Sequence, residues 1–408
     1  MLSWYKKFTS QPHQPFFVNG VLFFALFMML FILIYSNLLN VQAPLLVYHA
    51  YSLVFVVFIQ FFLGFLFVVF PKFLMQSEIA SKDYMRLFYI YFISSLGIFL
   101  SLIFYSKITI VFQVLLLIAQ ILSFNLLYNI HKKSVIKVKE DTKWVLISFF
   151  VGLISHFVFL VSNLDFINSY FFSKLSINSG FYLFLFMIIF TIAQRMIPFF
   201  TTAKAPNYVI NKSPKIVQTI FLLLVLKVFL LSFENAKLNL IADIPLLYVI
   251  TKELIRWKLP LFKVPSIVWV LYLGLYWIVV ALLISITESV FAFVAPNFYF
   301  EKAVIHTLAL GYFVTLLLGF GTRVILGHSG KVIIANKFAT FIFIVMQFVV
   351  LLRIFSSIST NFGFDYVFFI NLTATIFVIL LAVWSSKYIA ILLEKEKSGI
   401  INSSLIYG

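Results

Sequence analysis

The chain has 408 residues, 63% of them hydrophobic, 20% aromatic and only 11% charged, with a formal net charge of +17. A soluble domain carries roughly 45–50% apolar residues, so no water-soluble fold hides this many apolar side chains. Cysteine is absent, which excludes disulfides, thiolate metal sites and cysteine nucleophiles. The basic residues fall in short connections rather than on one face or tail, which excludes nucleic acid as a partner and leaves the lipid bilayer.

A hydrocarbon core about 30 Å thick takes about 20 apolar residues per helical crossing. The first such run, 19–38, follows Lys6 and Lys7 in the charge order of a secretory leader, but no small-residue cleavage site follows it, so it reads as a retained helix. Further runs occupy 45–70, 86–105, 108–128, 144–163, 180–200, 215–233, 238–255, 264–286, 302–320, 338–356 and 366–389. Asp243 and Pro245 interrupt the eighth and predict a broken helix there. The runs are too continuously apolar for alternating barrel strands, and open backbone is not tolerated in lipid. The expected fold class is therefore all-α: a polytopic membrane helix bundle of about 12 transmembrane helices, forming a single transmembrane domain over residues 1–408.

With these runs, 24 of the 30 Lys and Arg lie on the side shared by both termini. The other side carries Lys107, Lys174, Lys237, Lys302 and Arg353, and Lys227 sits inside the seventh run. Positive charge marks the cytoplasmic side, so both termini are expected there. Lys227 and Arg353 lie near helix ends and read as snorkelling side chains. In the tenth run Ala303, Thr307, Gly311, Thr315 and Gly319 recur every four residues, a spacing that lets a neighbouring helix come close.

Of the six histidines, His13, His131 and His328 fall in cytoplasmic loops or tails. His49, His156 and His306 fall in the second, fifth and tenth runs, all in the outer half of the membrane, with Glu288, Glu301 and Asp243 on the same side. Imidazoles with carboxylates nearby suit a nitrogen-ligated metal or haem, although a histidine near a helix end equally serves as an interfacial or interhelical hydrogen-bonding group. From Gly319 to Lys331, four glycines predict a tight turn beside Arg323, His328 and Lys331, a place for an anion such as a haem propionate or simply a basic loop. Pro198 is expected to distort the end of the sixth helix beside Gln194 and Arg195. No phosphate-binding loop, dinucleotide fingerprint or nucleophile elbow is present.

Four stretches together resemble the NnrS family of bacterial membrane proteins. They are Gln14 to Phe17, Tyr48 to Tyr51, Arg195 to Thr201, and the segment from His306 through Leu308, Gly311, Arg323, Gly327, His328 and Gly330 to Lys331. The resemblance implies a haem- and copper-containing protein of the bacterial inner membrane, acting in denitrification and in tolerance of nitric oxide and nitrosative stress. It implies His49, His306 and His328 as metal ligands, Arg195 and Arg323 as supporting cofactor-binding cations, and nitric oxide or a related small molecule as partner. Two stretches depart from the family pattern: Tyr51 and Ser52 stand where a histidine and a glutamate are usual, and Gln14 replaces an arginine. Subunit I of the haem-copper oxidases is excluded, because no two histidines are adjacent or one apart. The alternative reading is a secondary transporter of a small anion or metabolite, suggested by twelve helices and the interrupted eighth run.

Overall fold

Every apolar run of the sequence becomes helix, because a chain in lipid satisfies its backbone polar groups only within a helix or a closed barrel. The computed structural model describes residues 3–41, 43–163 and 169–393. After a short helix, Ser3–Phe8, come α1 (His13–Tyr35), α2 (Leu45–Phe73), α3 (Ser81–Phe104), α4 (Ser106–Lys133), α5 (Glu140–Ser162) and α6 (Ser169–Thr202). They are followed by α7 (Ile216–Leu231), α8 (Leu240–Trp257), α9 (Ser266–Val294), α10 (Ala303–His328), α11 (Lys337–Phe362) and α12 (Tyr366–Leu393). Ten of these are long and apolar enough to cross a membrane. The apolar α7 is shorter, with 16 residues, and α8 carries Asp243, Lys252, Glu253 and Arg256. The protein is a polytopic helical membrane protein, with no strand among the described residues.

The helices gather into two compact units, one up to Thr191 and one spanning Ile192–Ile391. In the first, phenylalanine rings fill the hollows left by glycines. A Cβ on Gly20 of α1 would lie 2.9 Å from the Phe61 ring of α2, and one on Gly64 of α2 would lie 2.8 Å from Phe17 of α1. A polar thread crosses the same contact: Asn19 donates to Gln60, which donates to Ser95 of α3 at 3.1 Å. In the second unit α9 packs against α8, α10 and α11. The small-residue stripe of α10 works here as a packing device. Added Cβ atoms on Gly311 and Gly319 would both lie 2.6 Å from α9 side chains, those of Trp277 and Leu271.

Three helices contain π-helical stretches: Ser52–Val57 in α2, Gly180–Phe186 in α6 and Thr307–Val314 in α10. A π-turn widens the helix and shifts the faces that follow it, and such stretches are frequent at functional sites. Two of them directly follow Tyr51 and His306.

The structure corrects four sequence expectations. The eighth run is not broken: α8 runs unbroken from Leu240 to Trp257 with Pro245 inside it. Only a turn and a half of helix precedes Pro245, so the missing donor and the ring clash affect a single carbonyl. The glycine segment after the tenth run is not a loop either, because helix continues through Gly319, Gly321 and Gly327 to His328. Only Gly330, with φ of 68°, takes the left-handed conformation that turns the chain. Glycine permits a turn without enforcing one, and here its missing Cβ serves helix packing instead. His13 is no tail residue but opens α1 and is 1% exposed. Finally, Lys227 and Arg353 do not snorkel. They are 1% and 6% exposed, and each points into the second unit, where a partner is available.

Candidate metal and cofactor site

His306 lies in the first turn of α10, just after Lys302, whose left-handed backbone, φ 54°, starts the helix. Its Nδ1 lies 2.9 Å from the Lys302 carbonyl oxygen and 3.1 Å from Nη2 of Arg353 on α11. Arg353 is held in turn by Nη1 donating to Ser357 Oγ at 2.6 Å. A carbonyl only accepts and a guanidinium only donates, so the two contacts require opposite states of Nδ1. With the proton on Nδ1 and bound to the carbonyl, the ring is the tautomer whose lone pair is on Nε2. That is the arrangement of a metal-ligating histidine, whose other ring nitrogen usually donates to a carbonyl or carboxylate. With Arg353 donating to Nδ1, the proton moves to Nε2 and the ligand lone pair is lost. Arg353 therefore bears directly on whether His306 can ligate.

His49 lies in the first turns of α2, half-buried, its ring edge-on to Phe31 of α1 at a centroid distance of 4.5 Å. His328 ends α10 and is also half-buried. Twenty-two residues of one helix separate it from His306, which at 1.5 Å per residue is about 30 Å. A single ion is therefore out of reach of both, so His328 can only belong to a different site from His306. Among the described residues, no three His, Cys, Asp or Glu side chains gather as a metal-binding group. A single imidazole held through its Nδ1 would suit haem iron, which one histidine can hold.

Arg323, near the far end of α10, stacks its guanidinium on the Phe200 ring of α6, 3.6 Å from the centroid. Its Nη1 is buried without a hydrogen-bond partner, a donor with capacity to spare for an anion such as a carboxylate. Arg195 is half-buried on α6 next to Gln194, whose Oε1 accepts from Lys212 at 2.8 Å. Beyond them, in the connection to α7, burial pushes the Tyr208 phenol up to about 12.

His156 has no role as a ligand in this geometry. It is fully buried, with Nε2 2.8 Å from the Tyr51 hydroxyl and Nδ1 2.7 Å from Gln120 Oε1, so both ring nitrogens are engaged. This is the interhelical hydrogen-bonding role that the sequence left open. Sequence reasoning missed Arg353 as the neighbour of His306 and Lys227 as the partner of Asp243. Opposite charges inside apolar runs were the available signal, but their pairing needs the packing of helices far apart in sequence.

Comparison with known families finds one matching description, NnrS protein, over residues 7–395, nearly the whole chain. No curated protein matches.

Proposed function

The chain belongs to the NnrS family, and on that premise we propose a haem- and copper-containing protein of a bacterial inner membrane that acts in tolerance of nitric oxide and nitrosative stress or in denitrification. His306 is the ligand best supported, because its Nδ1 meets the Lys302 carbonyl, the kind of backbone contact that orients a ligating imidazole. His49 is proposed as a second ligand toward the periplasmic side. His328 is assigned to a separate site at the cytoplasmic end of α10, where Arg323 and Arg195 offer donors to cofactor carboxylates. Bound haem would supply an iron able to bind nitric oxide.

The residues of this chain do the remaining work. Lys302 orients the imidazole through its carbonyl. Arg353 sets which ring nitrogen carries the proton. The single observation carrying this reading is the family match over nearly the full length. The transporter alternative loses its main support with the unbroken α8.

The test is the visible spectrum and metal content of protein purified from cells given iron, copper and haem precursors. A haem band that disappears in His306→Ala is the expected outcome. A colourless preparation free of both metals overturns the proposal.

A further inference from the structure

One buried hydrogen-bond chain in the first unit has a readable polarity. Gln120 Nε2 donates to the Phe55 carbonyl at 2.9 Å, which fixes the amide orientation and leaves Oε1 facing His156. An amide oxygen only accepts, so His156 carries its proton on Nδ1, 2.7 Å away. Full burial favours the neutral ring, whose Nε2 is then a lone pair, and the Tyr51 hydroxyl, at 2.8 Å, donates to it. Tyr51 is thus a phenol hydrogen-bonded to a neutral imidazole base, and neither residue touches water.

The surroundings suit a one-electron reaction. Tyr48 and Gln113 also adjoin Tyr51, but among these neighbours only the imidazole can take a proton. Phe55 stacks on the His156 ring at a centroid distance of 4.8 Å and an interplanar angle of 15°, a face that stabilises imidazolium. Phe159 covers Tyr51 at 4.5 Å and shields it from side reactions. Six residues of helix separate Tyr51 from the start of α2, so it lies ~9 Å along the helix, within electron-tunnelling range of that end.

We propose that Tyr51 and His156 form a proton-coupled redox site, in which Tyr51 gives up one electron and its hydroxyl proton to become a neutral tyrosyl radical. The O–H bond of Tyr51 breaks, an N–H bond forms at His156 Nε2, and the electron leaves to a one-electron oxidant. The reaction is an oxidation of the phenol. Nitrogen dioxide, formed from nitric oxide and oxygen, is the class of oxidant met under nitrosative stress, and taking the electron turns it into nitrite. Only that choice of oxidant rests on the proposed function.

The test uses the full-length protein in detergent and a flash-quench ruthenium polypyridyl oxidant in solution, so that its result does not depend on haem, copper or nitrogen oxides. Electron paramagnetic resonance of the wild type is expected to show a neutral tyrosyl signal that is lost in Tyr51→Phe. His156→Leu is expected to lose it as well, because the proton then has no acceptor. Electron–nuclear double resonance of the wild-type radical checks the geometry without any substitution. It should show one exchangeable hydron hydrogen-bonded to the radical oxygen and a coupled imidazole nitrogen. A signal unchanged in Tyr51→Phe, or a radical with no exchangeable hydron, overturns the proposal.

Discussion

The Lys227 ammonium of α7 lies 2.6 Å from Oδ1 of Asp243 on α8, and the other carboxylate oxygen accepts from Ser285 of α9 at 2.6 Å. The two charges are 1% and 0% exposed, so the pair fastens three helices where neither charge meets water. Removing one member of a buried pair strands the other charge and costs about 3–5 kcal/mol, whereas replacing both with apolar groups is often neutral or better. Asp243→Asn is therefore expected to lower the thermal midpoint in detergent markedly. The double change Lys227→Met with Asp243→Leu should recover most of the loss. Equal midpoints for the single and double variants would refute the pairing argument.

Arg353 and His306 make a second relation that an experiment can separate from mere packing. In Arg353→Met the competing donor is gone, and the Lys302 carbonyl still holds Nδ1 of His306. Haem retention is expected to persist or rise while stability falls by about 1–3 kcal/mol, because Ser357 loses its charged partner. His306→Ala should remove the haem band. His328→Ala should leave the same iron in place, since its ring is a helix-length away. Loss of the band in His328→Ala but not in His306→Ala reverses the ligand assignment.

Arg323→Met tests the other end of α10. The methionine keeps much of the contact with Phe200 but takes away the unsatisfied Nη1 donor. Weaker retention of a carboxylate-bearing cofactor, with a normal thermal midpoint, is the expected result. Retention identical to wild type would remove Arg323 from the site.

Helix packing makes a prediction that separates steric from conformational uses of glycine. Gly311→Ala drives a methyl against Trp277, already 2.6 Å from that position, and is expected to cost about 1–3 kcal/mol. Gly330→Ala meets nothing within 4 Å and should cost about 1 kcal/mol, from its positive φ alone. Thermal midpoints of the two variants, measured side by side, decide the order.

Orientation is open to a direct chemical probe because the chain has no cysteine. Single cysteines at Lys137, between α4 and α5, and at Asn297, between α9 and α10, stand on opposite sides of a twelve-crossing arrangement. An impermeant maleimide added to intact cells is expected to label the cysteine at Asn297 and spare the one at Lys137. The reverse pattern would invert the assignment of both termini to the cytoplasm.

Much of the fold was legible in the amino-acid order. The twelve apolar runs each became helix, because lipid allows a spanning chain almost no other way to satisfy its backbone. The four-residue stripe of α10 predicted close packing, and Gly311 and Gly319 do meet side chains of α9. Local signals misled at Pro245 and at the glycines of α10, because each residue type permits a break that neighbouring helical turns can overrule. The π-helical stretches left no trace in composition. They arise where tertiary packing selects a wider turn.

The candidate site was legible only as residue types. The sequence by itself determined that six imidazoles, several arginines and a few carboxylates are available in and beside the membrane, and that cysteine chemistry is not. Tertiary structure alone decided that Arg353 faces His306, that Lys227 meets Asp243, and that His156 is enclosed by Tyr51 and Gln120. Periodicity tells which side of a helix a residue occupies but not which helix it faces. That second choice is made when many apolar surfaces are packed at once, so the chemistry of each buried polar group is set by neighbours far away along the chain.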